Sequence, residues 1–231
     1  MTESAGPEYA LNQIEILKSN SVQAARELSL PIGDETDQII GYLQPVGGWI
    51  LEDVNIIKNI CIWRQKAMHN YLTQFSSTVE RTRSYLRDLS VGESDRMLFL
   101  IHTDQDQLIG HVGIANTDSE SAELDNLMRG VKGGHPQMIQ FSERAILRWC
   151  FEVLKLSSIY LRVLSYNVLA IELHSRFGFE IEEQQPLIRN DNDGLVTHSP
   201  VASSEANVDY TCTRMVLGRE RFFRQGGPEQ F

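Results

Sequence analysis

The chain has 231 residues, of which 42% are hydrophobic and 23% are charged. This balance is typical of a soluble globular protein, and no apolar run approaches the ~20 residues that cross a bilayer. The formal net charge is −10, which disfavours a nucleic-acid binder because an acidic surface repels phosphate backbones. Residues 1–7 lack the basic start and the apolar stretch of a secretory signal, so we expect a cytoplasmic protein.

Cysteine and histidine usage bounds the chemistry further. Cys61, Cys150 and Cys212 lie in apolar or strand-like surroundings, and their odd number favours buried, reduced thiols. The six histidines include no pair at the i, i+4 spacing of a helical metal site. We therefore expect no metal.

The chain divides into an extension, a main domain and a tail. Apolar residues recur at helical spacing in 10–17 and 22–28, so residues 1–47 predict a helical extension that packs on the main domain or on a partner. Residues 48–220 form the predicted domain, and residues 221–231 form a tail that we expect to fray.

Within the main domain the hydrophobic pattern switches between the helical and the strand period. Helices are predicted at 55–69, 81–89 and 136–156. Strands are predicted at 97–102, 107–115, 122–128, 159–164, 179–183 and 208–217. Residues 189–206 are polar and lack periodicity, so we expect them to be either mobile or functional, for example as a lid over a substrate.

A glycine-rich turn precedes the best-defined helix. Gly130, Gly133 and Gly134 come before Pro136, whose missing N–H suits the first turn of a helix. Glycines let backbone amides approach an anion closely, and the helix dipole adds partial positive charge there. The turn is a candidate phosphate site even in an acidic protein.

The order of elements from Leu108 to Phe179 is distinctive. Two strands, the glycine turn and a helix lead to a strand that ends at Asn167, then to Ala170-Ile171, Leu173 and Gly178-Phe179. This order resembles the GNAT family of acetyl-CoA-dependent N-acetyltransferases. The resemblance implies an α/β (α+β) fold, with a mixed, mostly antiparallel central sheet flanked by helices. It also implies direct transfer of acetyl from acetyl-CoA to a primary amine.

The resemblance further implies where acetyl-CoA binds. In the family the pyrophosphate lies at the glycine turn, and two central strands splay apart so that exposed backbone pairs with the pantetheine arm. The implied contacts here are Leu127, Met128, Gly133, Gly134, His135, Gln137, Met138, Asn167 and Ala170. His135 departs from the family, which has a small residue at that position. Asn167 is also a favourable helix N-cap, and the two roles are compatible.

His174 occupies the position at which the family usually has tyrosine, the residue thought to protonate the departing CoA thiolate. A histidine, with an ordinary pKa of ~6.5, can act as that acid. The alternative is a histidine that only packs at a helix face.

The strand from Ala122 to Arg129 carries two acidic side chains. Strict alternation places Glu123 and Asp125 on one face, together with Leu127 and Arg129. Two carboxylates on one face can bind or deprotonate an amine, so both are candidate catalytic residues. The alternative is a solvated strand edge or a pair of structural ion pairs.

Trp63 and Arg64 form a second resemblance, to the GNAT branch that contains amino-sugar and ribosomal-protein N-terminal acetyltransferases. That resemblance implies that both residues bind the acceptor. The run from Glu123 to Gly130 most resembles members that acetylate 4-amino sugars on a nucleotide carrier, which implies an amino sugar as the acceptor. A protein or peptide N-terminal acetyltransferase and a catalytically silent CoA-binding module stay open, as does a homodimer. An acidic cleft would favour a cationic acceptor, whereas a basic patch would favour a nucleotide-linked sugar.

Overall fold

Within residues 7–225, which the computed structural model describes, ten strands form one sheet. The strands are β1 Leu30–Gly33, β2 Ile39–Pro45, β3 Thr73–Gln74, β4 Met97–Thr103, β5 Leu108–Ala115, β6 Ser121–Arg129, β7 Ser158–Leu164, β8 Glu180–Asn192, β9 Leu195–Pro200 and β10 Thr211–Gly218. The α-helices are α1 Pro7–Leu17, α2 Val22–Glu27, α3 Val54–Lys66, α4 Val79–Tyr85, α5 Met138–Glu152, α6 Val168–Arg176 and α7 Arg219–Gln225. A π-helical turn, Leu86–Val91, extends α4.

The strand order is β1-β2-β4-β5-β6-β7-β10-β8-β9-β3. Among the described strand pairs, β6 and β7 run parallel and the others run antiparallel. The helix α5 provides the crossover between the parallel pair, as parallel strands require. The predicted mixed, mostly antiparallel sheet with flanking helices is confirmed.

Both faces of the sheet are covered. Along β4, Met97, Phe99 and Ile101 pack into the core beneath α1 and α5. Leu98 and Leu100 point the opposite way, into a second core beneath α3 and α4. Because successive side chains of a strand alternate between faces, a strand that is apolar throughout is buried on both sides. The candidate active site described below lies on the α3–α4 face.

The N-terminal region is only partly helical. The predicted helices are present, and α1 buries Ala10, Ile14 and Leu17 at helical spacing. The structure differs after α2, because β1 and β2 extend the main sheet by pairing with each other and with β4. Hydrogen bonding to a distant strand decides this conformation, and a local hydrophobic pattern does not report it.

The polar segment 189–206 is mostly ordered as a hairpin, which corrects the prediction of a structureless loop. Strands β8 and β9 pair across a tight turn at Asp193 and Gly194, both with positive φ, as a two-residue hairpin turn requires. Strand β9 also pairs with β3. The hairpin is solvated over much of its length, so its sequence shows no apolar alternation.

The predicted tail begins with a helix. In α7, Phe222 is buried and packs on Phe151 of α5, and the rest of the predicted tail, residues 226–231, lies outside the described residues. No helix in the described part of the chain combines the length and the apolar content needed to span a bilayer. Cys61, Cys150 and Cys212 are free and buried.

Candidate active site

The strands β6 and β7 separate soon after they pair. Their register runs from Ser121 opposite Ser158 to Glu123 opposite Tyr160 and ends there. Strand β6 continues to Arg129 and β7 to Leu164 without pairing to each other. The structure therefore has the splayed central strands that the resemblance implied, with unpaired backbone inside the opening.

A β-bulge in β6 sets which side chains face the opening. Asp125 lies opposite Gly113 and Met128 opposite His111, so two residues of β6 face one residue of β5. Asn126, inside the bulge, has φ of 55°, a conformation that asparagine tolerates better than most residues. A bulge reverses the alternation that follows it.

The bulge corrects the predicted faces of β6. Glu123, Asp125 and Asn126 all line one cavity. Leu127 packs instead into the core beneath α5, and Arg129 reaches the turn before α5. Strict alternation had placed Leu127 and Arg129 with the two carboxylates and Asn126 on the opposite face.

The cavity has a volume of about 380 Å³ and lies between the splayed strands and the α3–α4 layer. Its far wall is the segment 70–77, which follows α3. The charged side chains that line it are Arg64, Arg81, Glu123, Asp125 and Arg162. We call it the acceptor cavity.

Glu123 is committed to a structural ion pair. Its carboxylate accepts two hydrogen bonds from the Arg162 guanidinium, both at 2.8 Å, and a third from the Asn116 amide at 2.7 Å. Both oxygens of the carboxylate are thereby held in place by charge-assisted or amide hydrogen bonds. It contributes negative charge and rigidity to the site, and it is poorly placed to accept a proton.

The second carboxylate of the acceptor cavity, Asp125, accepts no hydrogen bond from an arginine of the described residues. It is partly buried, with its side chain 34% exposed, and it accepts hydrogen bonds from the N–H and the side-chain amide of Asn126. Arg96 lies 3.7 Å away. Burial raises the pKa of Asp125, and the neighbouring Glu123 carboxylate raises it further. A raised pKa brings a carboxyl group closer to the range in which it can act as a general base near neutral pH.

Arg64 and Arg81 are the cavity's unpaired cations. Neither lies within ion-pair distance of a carboxylate in the described part of the chain. The Arg64 guanidinium lies 3.7 Å from the centre of the Tyr71 ring and donates to the Thr73 carbonyl. Arg81 lies 5.4 Å from the centre of the Phe75 ring. Aromatic rings hold these guanidinium groups without neutralising them.

The structure separates the two residues predicted to bind the acceptor. Arg64 lines the cavity. Trp63 is buried behind it, close against Gly130, with its ring 6.1 Å from that of His111. Trp63 therefore supports the wall of the cavity from the core.

The hairpin β8–β9 braces the cavity's far wall. His198 of β9 bonds the Leu72 carbonyl through its backbone N–H and through Nδ1, both at 2.9 Å, while its Nε2 accepts from the Tyr210 hydroxyl. The Tyr166 hydroxyl donates to the His69 carbonyl at 2.5 Å. The segment that was predicted to close over the acceptor instead fixes the wall beside it.

The turn before α5 is held from below by Arg129, whose guanidinium donates to the carbonyl oxygens of Val131, Gly133 and Pro136. Gly134 has φ of +63°, and a Cβ there would lie 2.7 Å from Thr103 Cγ2. The backbone path of the turn therefore requires glycine at this position.

The turn presents backbone amides that have no partner among the described residues. The amides of Gln137 and Met138 are used within the turn, where they donate to His135 Nδ1 and to the His135 carbonyl. Helix α5 has no side-chain cap. The unpartnered amides are those of Gly133, Gly134, His135, Ile139 and Gln140. Such a cluster at a helix N-terminus suits an anion.

The other implied CoA contacts surround the opening of the sheet. Asn167 occupies the N-cap position of α6, but its side chain makes no capping hydrogen bond, which leaves it available to a ligand. Ala170 is half-buried in the first turn of α6, and Leu127 and Met128 lie on the unpaired part of β6. Met138 has a fully buried side chain, so only its backbone is placed to contribute.

His174 is buried between α6 and α5. Its Nδ1 lies 2.7 Å from Glu143 Oε1, and its ring packs edge-on against Phe179 with 5.7 Å between centroids. Position 174 thus carries a histidine paired with a buried carboxylate, a partner that the sequence alone did not suggest.

Sequence reasoning did not single out several residues that line the cavity, among them Arg81, His111, Asn126 and Arg162. Asn126 donates to the Tyr85 hydroxyl at 2.9 Å, and its carbonyl lies 2.7 Å from His111 Nδ1. Burial lowers the pKa of His111 to about 4, so the ring is neutral and Nδ1 carries the hydrogen. An asparagine inside a strand was the one available signal of the bulge.

Comparisons with known proteins identify the family and the fold. The family model of the acetyltransferase (GNAT) domain matches residues 51–195. The chain belongs to the GNAT family and is an acyltransferase. No curated protein sequence matches it. No group of three or more histidine, cysteine or acidic side chains in residues 7–225 is arranged to hold a metal ion.

Solved structures share the fold at low sequence identity. A probable GNAT-family acetyltransferase from Chromobacterium violaceum has a TM-score of 0.62 at 14% identity, covering 84% of this chain and 92% of that one. FdhC, a nucleotide-linked sugar GNAT, has a TM-score of 0.56 at 14% sequence identity, and the match covers 85% of this chain and 94% of FdhC. A spermidine N-acetyltransferase from Vibrio cholerae, in complex with CoA and spermine, has a TM-score of 0.53 at 17% sequence identity. That match covers 74% of this chain and 92% of the V. cholerae chain.

Proposed function

We propose that this protein transfers acetyl from acetyl-CoA to the primary amine of a small molecule that also carries negative charge, and that the acceptor is a nucleotide-linked amino sugar. The observation that carries the proposal is the charge of the acceptor cavity. Three arginines and two carboxylates line it, although the whole chain is acidic. A diphosphate beside an amine satisfies both signs of charge.

The residues divide this recognition between them. Arg64 and Arg81 have no carboxylate partner at their end of the cavity and suit phosphate oxygens, because guanidinium groups bind phosphate through paired donors. The rings of Tyr71 and Phe75 offer flat apolar surfaces for a base or a sugar. Asp125 and Glu123 line the cavity on β6, at the splayed strands, and suit the amine.

The same charges argue against the other acceptors. Polyamines are the acceptor class of the V. cholerae enzyme with this fold, but a polyamine carries only positive charge and would meet the two unpaired arginines. The ammonium group of a peptide N-terminus pairs with a carboxylate of the enzyme, but a peptide has no negative group at a fixed position that would pair with Arg64 and Arg81. A catalytically silent module would need no base, whereas burial raises the pKa of Asp125 beside an open cavity.

Acetyl-CoA fits the residues that are present. Its diphosphate suits the unpartnered amides of Gly133, Gly134 and His135 and those of Ile139 and Gln140. Its pantetheine arm suits the opening between β6 and β7. When bound, it supplies an activated acetyl group as a thioester. Asp125 takes a proton from the acceptor ammonium, directly or through water, so that the nitrogen lone pair is free to attack. His174 gives a proton to the departing sulfur.

The experiment is a thiol-release assay with acetyl-CoA and mass analysis of the product. The acceptors are a nucleoside-diphosphate-linked amino sugar, the same amino sugar without its nucleotide, spermidine, and a peptide with a free N-terminus. We expect turnover and a single acetyl addition to the nucleotide-linked sugar. Preference for spermidine or for the peptide would contradict the acceptor assignment, and absence of turnover with every amine would contradict acetyl transfer itself.

A further inference from the structure

Glu143 is a buried acid to which the reaction outlined above assigns no part. It lies on α5 with its side chain 0% exposed, and its one side-chain hydrogen bond within residues 7–225 joins Oε1 to Nδ1 of His174 at 2.7 Å. Its second oxygen, Oε2, is enclosed and has no partner among the described residues. Enclosing a carboxylate in this way is unfavourable unless its partner carries positive charge.

Within the described residues, Nδ1 of the His174 ring has a hydrogen-bond partner and Nε2 has none. Residue His174 is 7% exposed, and the Phe179 ring packs against it. An ionised carboxylate only accepts hydrogen bonds, so with Glu143 ionised Nδ1 carries the hydrogen. Nε2 makes no hydrogen bond within the described part of the chain and is not among the enclosed unpartnered atoms. The proton that this ring can give away is therefore the one on Nε2.

We propose that Glu143 is a positioning residue for His174, an inference that rests on the proposed acetyl transfer. The carboxylate fixes the ring with Nδ1–H toward α5 and stabilises its protonated form, as a buried acid does for a catalytic histidine. As the carbon–sulfur bond breaks, the sulfur keeps the bonding electrons and takes the proton from Nε2. The amine nitrogen loses one proton to Asp125 before it attacks the acetyl carbon, and a second proton to water as the new amide forms. Two protons leave the nitrogen and one reaches the sulfur, so the net reaction releases one proton.

The charged groups around His174 are few. From α5 the contact is Glu143, and from the segment after α6 it is the uncharged ring of Phe179. On α6 itself Glu172 and Arg176 are neighbours in sequence, and neither forms an ion pair with His174. The Glu143 carboxylate is thus the charged group that directly contacts the ring.

The Glu143→Gln variant distinguishes two effects of Glu143 on His174, namely the hydrogen bond that orients the ring and the negative charge beside it. A glutamine oxygen still accepts a hydrogen bond from Nδ1–H of a neutral ring, but it cannot stabilise an imidazolium ion. The matched control is Glu152→Gln, which removes an acid from the exposed face of the same helix. Glu143→Asp keeps the charge on a shorter side chain and should restore part of any lost function.

The first measurement is histidine-selective NMR of the protein without CoA. We expect the His174 titration midpoint to be lower in Glu143→Gln than in wild type, because the variant removes the charge beside Nδ1, and to be unchanged in Glu152→Gln. The second is the pH–rate profile with acetyl-CoA. Because the acid must be protonated, the high-pH limb should move to lower pH in Glu143→Gln, with kcat reduced about tenfold and KM for acetyl-CoA changed less.

An unchanged NMR midpoint and an unmoved high-pH limb in Glu143→Gln would overturn the proposal, even if the variant is less stable to heat. So would a wild-type pH–rate profile in His174→Ala, because it would show that His174 is not the acid. Failure of the proposed function has a different signature, namely wild-type protein without turnover on any amine. The NMR measurement needs no active enzyme, so it tests the link between the two residues independently.

Discussion

Glu123 of β6 and Arg162 of β7 form a two-pronged ion pair where the two strands separate, with both nitrogen–oxygen distances at 2.8 Å. The pair joins the strands by side chains just beyond their last backbone pairing. It also commits Glu123 to a structural role, which leaves Asp125 as the carboxylate that can exchange a proton.

Removing Arg162 should destabilise the protein measurably. Arg162→Ala leaves the buried Glu123 carboxylate with only the Asn116 amide, and we expect a loss of about 1–3 kcal/mol in the free energy of unfolding. The lower half of that range is expected because the Arg162 side chain is 40% exposed. Urea denaturation measures it. The control is Arg189→Ala, which removes an exposed pair with Asp191, and an equal loss in both variants would contradict the structural role.

Asp125→Asn should abolish most turnover and stabilise the protein. Without the base we expect kcat to fall about 10²–10⁴-fold and the low-pH limb of the pH–rate profile to disappear. Because the pKa of Asp125 is raised by burial, its ionisation destabilises the fold as pH rises through that pKa. The variant should therefore match wild type in stability below the ordinary carboxyl pKa of ~3.9 and exceed it at neutral pH.

The Glu123→Gln variant is the comparison for Asp125→Asn, and its pH–rate profile and its stability at different pH values should be measured in the same way. Its low-pH limb should stay in place, because Glu123 does not exchange the catalytic proton. If Glu123→Gln removes that limb while Asp125→Asn keeps it, the assignment of the two carboxylates is reversed.

Gly134→Ala should weaken CoA binding. A Cβ at this position meets Thr103 and Met138 within 3 Å, and the φ of +63° strains any side chain, so the turn must move and its amides with it. We expect the Kd for CoA to rise at least about tenfold by titration calorimetry, equivalent to about 1.4 kcal/mol. Gly218→Ala is the control, since a Cβ there meets nothing within 4 Å. Equal CoA affinity in both variants would remove the turn from the cofactor site.

Acid should destabilise the protein through His111. Burial lowers its pKa to about 4, whereas an unfolded histidine titrates near ~6.5. The stability from its neutral form is complete above ~6.5 and is lost as pH falls toward about 4, a loss of about 3 kcal/mol. His111→Asn retains a donor for the Asn126 carbonyl. The unfolding free energy of this variant should vary less with pH between about 4 and ~6.5 than that of wild type. An identical pH dependence in the two proteins would show that burial does not lower the pKa of His111.

Local patterns in the sequence identify the elements whose partners lie nearby in the chain. Helix α5, the hairpin of β4 and β5, and the turn containing Gly134 all follow from periodicity and glycine placement. The order of these elements was enough to suggest the family, because the order is itself encoded in sequence.

The acceptor side depends on contacts that local patterns do not carry. The ion pair of Glu123 with Arg162 joins residues 39 positions apart, and Glu143 and His174 are 31 apart. The bulge at Asn126 shifts the faces of β6 by one residue, which no alternation rule anticipates. Strand β9 is specified by pairing with β3 and β8, so its polar sequence reads as a loop.

The measurement that tests the central claim most directly is the ratio of kcat/KM for one amino sugar with and without its nucleoside diphosphate. It should be made in wild type and in the Arg64→Gln, Arg81→Gln double variant. Charge-assisted hydrogen bonds contribute about 1.5–3 kcal/mol each, so we predict that wild type prefers the nucleotide-linked sugar by at least about 10²-fold. The double variant should lose most of that preference while its Kd for CoA is unchanged. A wild-type ratio near one, or a ratio that survives loss of both arginines, would contradict the account.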